Sequence, residues 1–350
     1  MNLIEYGLTE TIKQAAKSFP DEILARVTEQ HRELYQVISA AGEFSAQVSG
    51  KFQHNARNVT DFPAVGDWVM LTATTGQQAT IQQVLPRKSV LTRGAAGSEG
   101  AGQIIAANLD TVFICMSLNA DFNIRRIERY LTIAWESGAM PVIVLTKADL
   151  CTDLDQKLVE LGEVAIGVDI IICSAKQNEG YDELRKYTDN DQTVAFVGSS
   201  GVGKSTLING LMQQDIFATK AIRSDDDKGR HTTTFRQLLK LPTGGVVIDT
   251  PGMRELRIHT GDLAHTFQDI EQLAAQCKFK DCQHQSDPGC AVRQAIEAGT
   301  LPIERLESYQ KLQRELTYSQ LNARELENEK IKRMFGSKHK MKQMLKDLKK

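Results

Sequence analysis

TVAFVGSSGVGKSTLINGL, residues 193–211, sets a β-branched apolar run against a glycine-rich turn and then an apolar helical pattern. Val194 to Val197 reads as a buried strand, and the residues after Gly203 read as a helix. Gly198 to Ser205 fits G-x-x-x-x-G-K-[ST], the phosphate loop. Its glycines let the backbone curl so that N–H groups of Gly198, Ser199, Ser200, Gly201, Val202, Gly203 and Thr206 converge on an α/β-phosphate pair. The helix N-terminus adds partial positive charge at the same point. Lys204 is expected to reach the β- and γ-phosphates, and the Ser205 hydroxyl to ligate Mg²⁺.

Two further strand-end motifs choose the base. Pro141 to Leu145 is a predicted strand running into Thr146-Lys147-Ala148-Asp149, and Asp169 to Cys173 is another running into Ser174-Ala175-Lys176. A carboxylate at Asp149 accepts two hydrogen bonds, matching the ring N–H and exocyclic amine of guanine. Adenine presents an acceptor and no amine there, so GTP is favoured and a metabolic kinase using ATP is disfavoured. Lys147 can lie along the base with its aliphatic stem, and the Ser174–Lys176 turn offers a backbone N–H to the guanine carbonyl. Downstream, Val246 to Asp249 is a strand ending in D-x-x-G. Asp249 is expected to hold Mg²⁺ through a water, and the Gly252 N–H to sense the γ-phosphate. In the polar stretch Lys228 to Thr234, Thr233 is the favoured further Mg²⁺ ligand, ahead of Thr232. Met253 stands where Ras-type enzymes carry the glutamine that orients water. His231 is the nearest polar candidate for that task.

The surrounding chain gives the architecture. Residues 1–22 form a short helical arm closed by Pro20. LARVTEQ, ELYQVISA, EFSAQVSGKF, GDWVMLTA and QATIQQVLP, within 23–93, are alternating runs at the spacing of a five-stranded OB-type barrel. Trp68 and Phe52 are candidate base-stacking platforms, with a core role favoured. GAAGSEGAGQ, 94–103, is expected to be a flexible linker. From 94 to 258 strands alternate with helices, which implies a mostly parallel sheet covered on both faces, with ligand loops at its carboxyl edge. TKAD and SAK precede the phosphate loop and DTPG, the reverse of the usual GTPase order, so the domain is circularly permuted.

Cys277-x4-Cys282-x-His284-x5-Cys290 offers three thiolates and an imidazole within 14 residues, the donor set of a closed structural zinc site. It opens a predicted zinc-binding helical module, 259–334, followed by a tail, 335–350. From 330 to 350 there are nine Lys/Arg and one acid. The chain as a whole carries −2, so an acidic body bears a basic arm, suited to a polyanionic partner. Composition, with 41% hydrophobic and 25% charged residues, is that of a globular chain. The absence of an apolar run of membrane length and of a secretory leader leads us to expect a cytoplasmic protein with reduced thiols, without membrane contact and monomeric.

With GSSGVGKS, DTPG, the permuted order and the Cys₃His cluster together, the chain resembles the bacterial circularly permuted GTPases of small-ribosomal-subunit biogenesis, the RsgA/YjeQ type, over nearly its whole length. The resemblance implies late maturation of the 30S subunit, GTP hydrolysis stimulated by that subunit, and barrel and zinc domains that grip 16S rRNA. The family's catalytic histidine, in a G-H-T-T motif, matches His231, with Arg230 in place of the glycine. Thr146 stands where most GTPases carry Asn. The alternative is a GTP-gated RNA-binding adaptor with negligible turnover, acting on another ribonucleoprotein.

Overall fold

The alternating runs near the N-terminus form strands β1 (Ile23–His31), β2 (Leu34–Ser39), β3 (Gly42–Val48), β4 (Trp68–Ala73) and β5 (Gln78–Val84). They are ordered β1-β2-β3-β5-β4, with β4 returning to β1, so the sheet closes as a five-stranded barrel. β3 and β5 pair parallel and the other neighbours antiparallel. Every second side chain points inward, and Ala25, Val27, Val37, Ala46, Val69, Leu71 and Ile81 fill the interior. The computed structural model describes residues 1–74, 76–94, 102–217, 236–250, 258, 260–319 and 325.

Trp68 is 1% exposed and packs with Leu3, Ile12, Ile38, Met70 and Leu85 beneath the Glu10–Ala16 helix. It is core, not a surface for stacking bases. Phe52, expected at the end of β3, instead lies on a short Gly50–Asn55 helix capped by Ser49 and meets Phe62 edge-on.

Of the glycine-rich stretch 94–103, expected as a flexible linker, residues 95–101 lie outside the described residues. Its ends belong to β6 (Val90–Gly94) and β7 (Gly102–Ala107), and Gly94 pairs with Gly102. The two strands form an antiparallel hairpin, and β7 passes straight into the core through Ile105, Ala106 and Ala107. The barrel is seated on this hairpin. Ala107 donates its N–H to Val65 O, the Asn108 amide donates to Gly66 O at 3.1 Å, and Gly66 at φ 94 leaves no room for a Cβ, which would fall 2.3 Å from Ala107 O. Glycine at position 66 therefore serves close packing of the barrel on β7.

The second half is a sheet of β8 (Thr111–Ser117), β9 (Met140–Thr146), β10 (Asp169–Ile172), β11 (Thr193–Val197), β12 (Gln237–Lys240) and β13 (Val246–Asp249), ordered β10-β9-β8-β11-β13-β12. All neighbours are parallel except β12, which runs antiparallel to β13. Alternate residues of the buried strands serve opposite faces. Val112, Ile114 and Met116 pack under the Ile124–Glu136 helix, whereas Phe113 and Cys115 pack with Leu207, Ile208 and Leu211 of the Lys204–Met212 helix. This explains why the runs read as continuously apolar. β12 also touches β1, so barrel and GTPase-type sheet form one eleven-stranded sheet.

Among the described residues four further helices follow, Leu263–Thr266, Gln268–Ala274, Ala291–Glu297 and Ile303–Ser319. No helix among the described residues is long and apolar enough to cross a membrane.

Candidate functional site

β11 sits in the middle of the sheet with all five residues buried. The chain leaves its carboxyl end through a turn that only glycine makes cheaply. Gly198 (φ 148) has the Cys115 carbonyl 2.5 Å from where a Cβ would stand, and Gly201 and Gly203 also have positive φ. Gly203 caps the Lys204–Met212 helix, so the loop ends at a helix N-terminus, the kind of place that holds anions. The Lys204 ammonium is 7% exposed and donates to Gly198 O and Ser199 O, both at 2.8 Å. Burial pulls its pKa below the ordinary lysine range, opposed by Cys115 and Asp249. A cation held at the mouth of such a turn is suited to phosphate oxygens.

β9 and β10 end beside the loop. Lys147 adopts the left-handed conformation (φ 59) and its ammonium donates to Gly201 O at 2.8 Å. The buried Thr146 hydroxyl donates to Val202 O. Thr146 thus ties strand β9 to the phosphate loop. The Ser174 hydroxyl donates to Asp149 Oδ1 at 2.8 Å and accepts the Gln177 N–H. One carboxylate oxygen is thereby held while Asp149 stays half-exposed, and Ala175 and Lys176 follow in the same turn. The motifs, 25 residues apart in sequence, converge as their spacing predicts.

On the other side, Asp249 ends β13 opposite Phe196 of β11. It is 3% exposed, and burial raises its pKa to about 6, with Lys204 opposing. Thr250 donates its hydroxyl to Phe196 O. A buried carboxylate near the start of a helix carrying Ser205 is a hard-oxygen donor set, which fits Mg²⁺. His231, Thr232, Thr233, Gly252 and Met253 lie outside the described residues, as does the basic tail.

The Cys₃His residues come together. Cys277 Sγ lies 3.7 Å from His284 Nδ1 and 3.9 Å from Cys290 Sγ, His284 Nδ1 lies 3.4 Å from Cys290 Sγ, and all four donor atoms fall within 4.8 Å of one another. A tetrahedron with metal–sulfur bonds of about 2.3 Å and metal–nitrogen bonds of about 2.0 Å has edges of roughly 3.5–3.8 Å. The group can hold a metal ion. Positive φ at His284 and Gly289 turns the loop back so that the donors face inward.

One buried cluster was not anticipated. Arg305, on the Ile303–Ser319 helix, donates to Glu128 Oε1 and Asp269 Oδ2 at 2.8 Å and to Thr266 O at 2.8 Å, and its guanidinium lies 4.5 Å from the Phe267 ring. Glu128 is fully buried and also accepts from Arg125 and Ser308. The cluster fastens the C-terminal helices to the Ile124–Glu136 helix. A signal existed in the sequence: Glu128 sits four residues after Ile124 and one after Ile127, on the apolar stripe, where a lone carboxylate needs a partner.

Comparison with known proteins then places this geometry. The RsgA GTPase family model matches residues 84–259. A Lactiplantibacillus plantarum protein named small ribosomal subunit biogenesis GTPase RsgA 2 is 61% identical over 98% of this chain and 97% of its own length. An Oceanobacillus iheyensis protein named small ribosomal subunit biogenesis GTPase RsgA 1 is 47% identical, covering 85% of this chain and 86% of its own. Among solved structures, YjeQ from Thermotoga maritima superposes with a TM-score of 0.63 at 29% identity, covering 85% of this chain and 99% of that one.

Proposed function

This chain belongs to the RsgA GTPase family and is a GTP hydrolase, and from that premise we propose that it binds the small (30S) ribosomal subunit in the cytoplasm, as a monomer, and times a late step of its maturation. The observation that carries the proposal is 61% identity across 98% of the chain to a protein named for that process. The site geometry supports it. Barrel, permuted GTPase domain and Cys₃His module are joined into one body, so a nucleotide-dependent change at the phosphate loop has RNA-sized surfaces to act through.

The roles we assign rest on the motifs read above. The phosphate loop, residues 198–203 with Thr206, cradles the α- and β-phosphates, and Lys204 neutralises charge toward the γ-phosphate. Asp149 reads guanine, with Lys147 and the Ser174–Lys176 turn around the base. Thr146 braces the loop. Ser205, Asp249 and Thr233 are assigned to Mg²⁺, which neutralises phosphate charge when bound. Gly252 senses the γ-phosphate, and His231 orients the attacking water. Cys277, Cys282, His284 and Cys290 hold a structural Zn²⁺. The barrel, the zinc module and the basic tail contact 16S rRNA, largely through phosphates. We assign residues 23–93 to the barrel, 94–258 to the GTPase domain and 259–334 to the zinc module.

The test is GTP hydrolysis by the purified protein alone, with 30S and with 50S subunits, for wild type and His231→Ala. Stimulation by 30S only, lost in the variant while GTP still binds, is the expected result. Equal rates with and without 30S, together with no saturable 30S binding, would remove the ribosomal assignment. Saturable 30S binding that depends on GTP, with no turnover in any mixture, would favour a GTP-gated adaptor.

A further inference from the structure

Among the described residues, the eleven-stranded sheet crosses from barrel to GTPase domain at one residue pair, Glu29 with Gln237. Glu29 of β1 pairs with Gln237 of β12, Gln237 pairs with Asp249 of β13, and Asp249 pairs with Phe196 of β11. One row of backbone partners therefore runs from the barrel wall to the strand that carries the phosphate loop. β12 has four residues, and because it is antiparallel to β13 its Gln237 end lies at the nucleotide edge while Lys240 lies opposite Val246. The barrel thus grips this short strand at the Asp249 end.

Side chains reinforce the backbone pair. The Gln237 amide donates to Glu29 Oε1 at 2.7 Å, and Glu29 Oε2 lies 2.8 Å from His31 Nε2. A bulge between Val27 and Glu29 shifts the register of β1 just before this residue, as bulges do where a side chain is re-aimed. Next along the chain, Arg236 donates to Ile104 O of β7 at 2.7 Å, so adjacent residues are fastened to two different elements. All four residues of β12 pair with β13, and the barrel joins this ladder at its Gln237 end. The strand's position is set by that ladder together with the contacts at its Gln237 end.

We propose that Glu29 and Gln237 are positioning residues for the Asp249 side of the nucleotide site, through which the barrel and that side influence one another. Whatever displaces the barrel displaces Gln237 and, through the ladder, Asp249. By reciprocity, a metal–nucleotide complex held at Asp249 biases the barrel. The inference rests on the assignment of Asp249 to Mg²⁺ given above.

The experiment measures dissociation of a fluorescent GTP analogue as Mg²⁺ is titrated, without ribosomes, for wild type, Asp249→Asn, Gln237→Glu, Gln237→Leu and Gln237→Glu combined with Glu29→Gln. Gln237→Glu sets two carboxylates against each other and should raise the Mg²⁺ half-saturation by about five- to tenfold, the size of a lost charge-assisted hydrogen bond. Gln237→Leu should raise it by about threefold. The double variant restores the bond with its polarity reversed and should return to within about twofold of wild type. Affinity in EDTA and thermal midpoint should move little, which separates positioning from general damage. Unchanged half-saturation in Gln237→Glu, or a double variant no better than the single one, overturns the inference. If Asp249→Asn keeps the wild-type Mg²⁺ dependence, the assignment of Asp249 fails instead, and the inference falls with it.

Discussion

The phosphate loop and the Cys₃His loop are both short turns built to face a ligand, yet they are held in opposite ways. The phosphate loop hangs between a wholly buried strand and a helix with Leu207, Ile208 and Leu211 in the core. Its shape is set by glycine torsions and by Thr146 and Lys147 bonding to its carbonyls. Residues 277–290 have only Cys290 buried, and Phe279 is 42% exposed. One ligand site is made by the fold around it; the other has little apolar burial and must draw its order from its own ligand.

The sharpest way to break this contrast is to strip the metal. Binding free energy of structural zinc in small modules is about 10 kcal/mol or more and doubles as folding energy. A chelator, or Cys282→Ser, should open residues 277–290 to protease while GTP affinity stays within about twofold, because the phosphate loop draws none of its order from that site. Loss of GTP binding with the metal would make the two regions one cooperative unit.

Next in size is the buried cluster joining the modules. Glu128→Ala leaves Arg305 charged and short of a partner and should cost about 3–5 kcal/mol in urea unfolding. Replacing Glu128 and Arg305 together by apolar residues should cost less than either change alone. If the singles prove mild, the modules are held by apolar packing instead.

Asp149→Asn probes the base side. Guanine donates twice to a carboxylate, whereas an amide offers one acceptor and one donor, matching the 2-oxo group of xanthine. GTP affinity should fall by about a hundredfold, or ~2.7 kcal/mol, with XTP binding gained, as read by competition against a fluorescent nucleotide. Equal affinities in wild type and variant would remove the guanine assignment.

The smallest effect is expected at Thr146→Val, which keeps the shape but removes the hydroxyl donated to Val202 O. Nucleotide affinity should weaken about fivefold, the ~1 kcal/mol of a net hydrogen bond. No change would show that glycine torsions alone shape the loop, sharpening its contrast with the metal-held one.

How much was readable in advance follows range along the chain. Gly198 to Ser205 and Cys277 to Cys290 declare themselves because each site is written within 14 residues, and local geometry then makes most of it. TKAD and SAK were readable because a parallel sheet brings successive strand ends to one edge. Of the expected linker 94–103, residues 95–101 lie outside the described residues, and its ends are paired strand, which glycine permits as readily as a free turn. Phe52 was misassigned by the alternation of its neighbours, which Ser49 interrupts with a helix cap.

The amino-acid sequence by itself determined the nucleotide class, the metal donor set, the permuted order and the barrel-plus-sheet architecture, since periodicity and spacing act over a few residues. Tertiary structure alone decided how these parts are joined. Glu128 meets Arg305 across 177 residues and Glu29 meets Gln237 across 208. No local pattern encodes such pairs. A buried charge announces that it needs a partner, but only the packed chain, where both are taken from water together, says which one it gets.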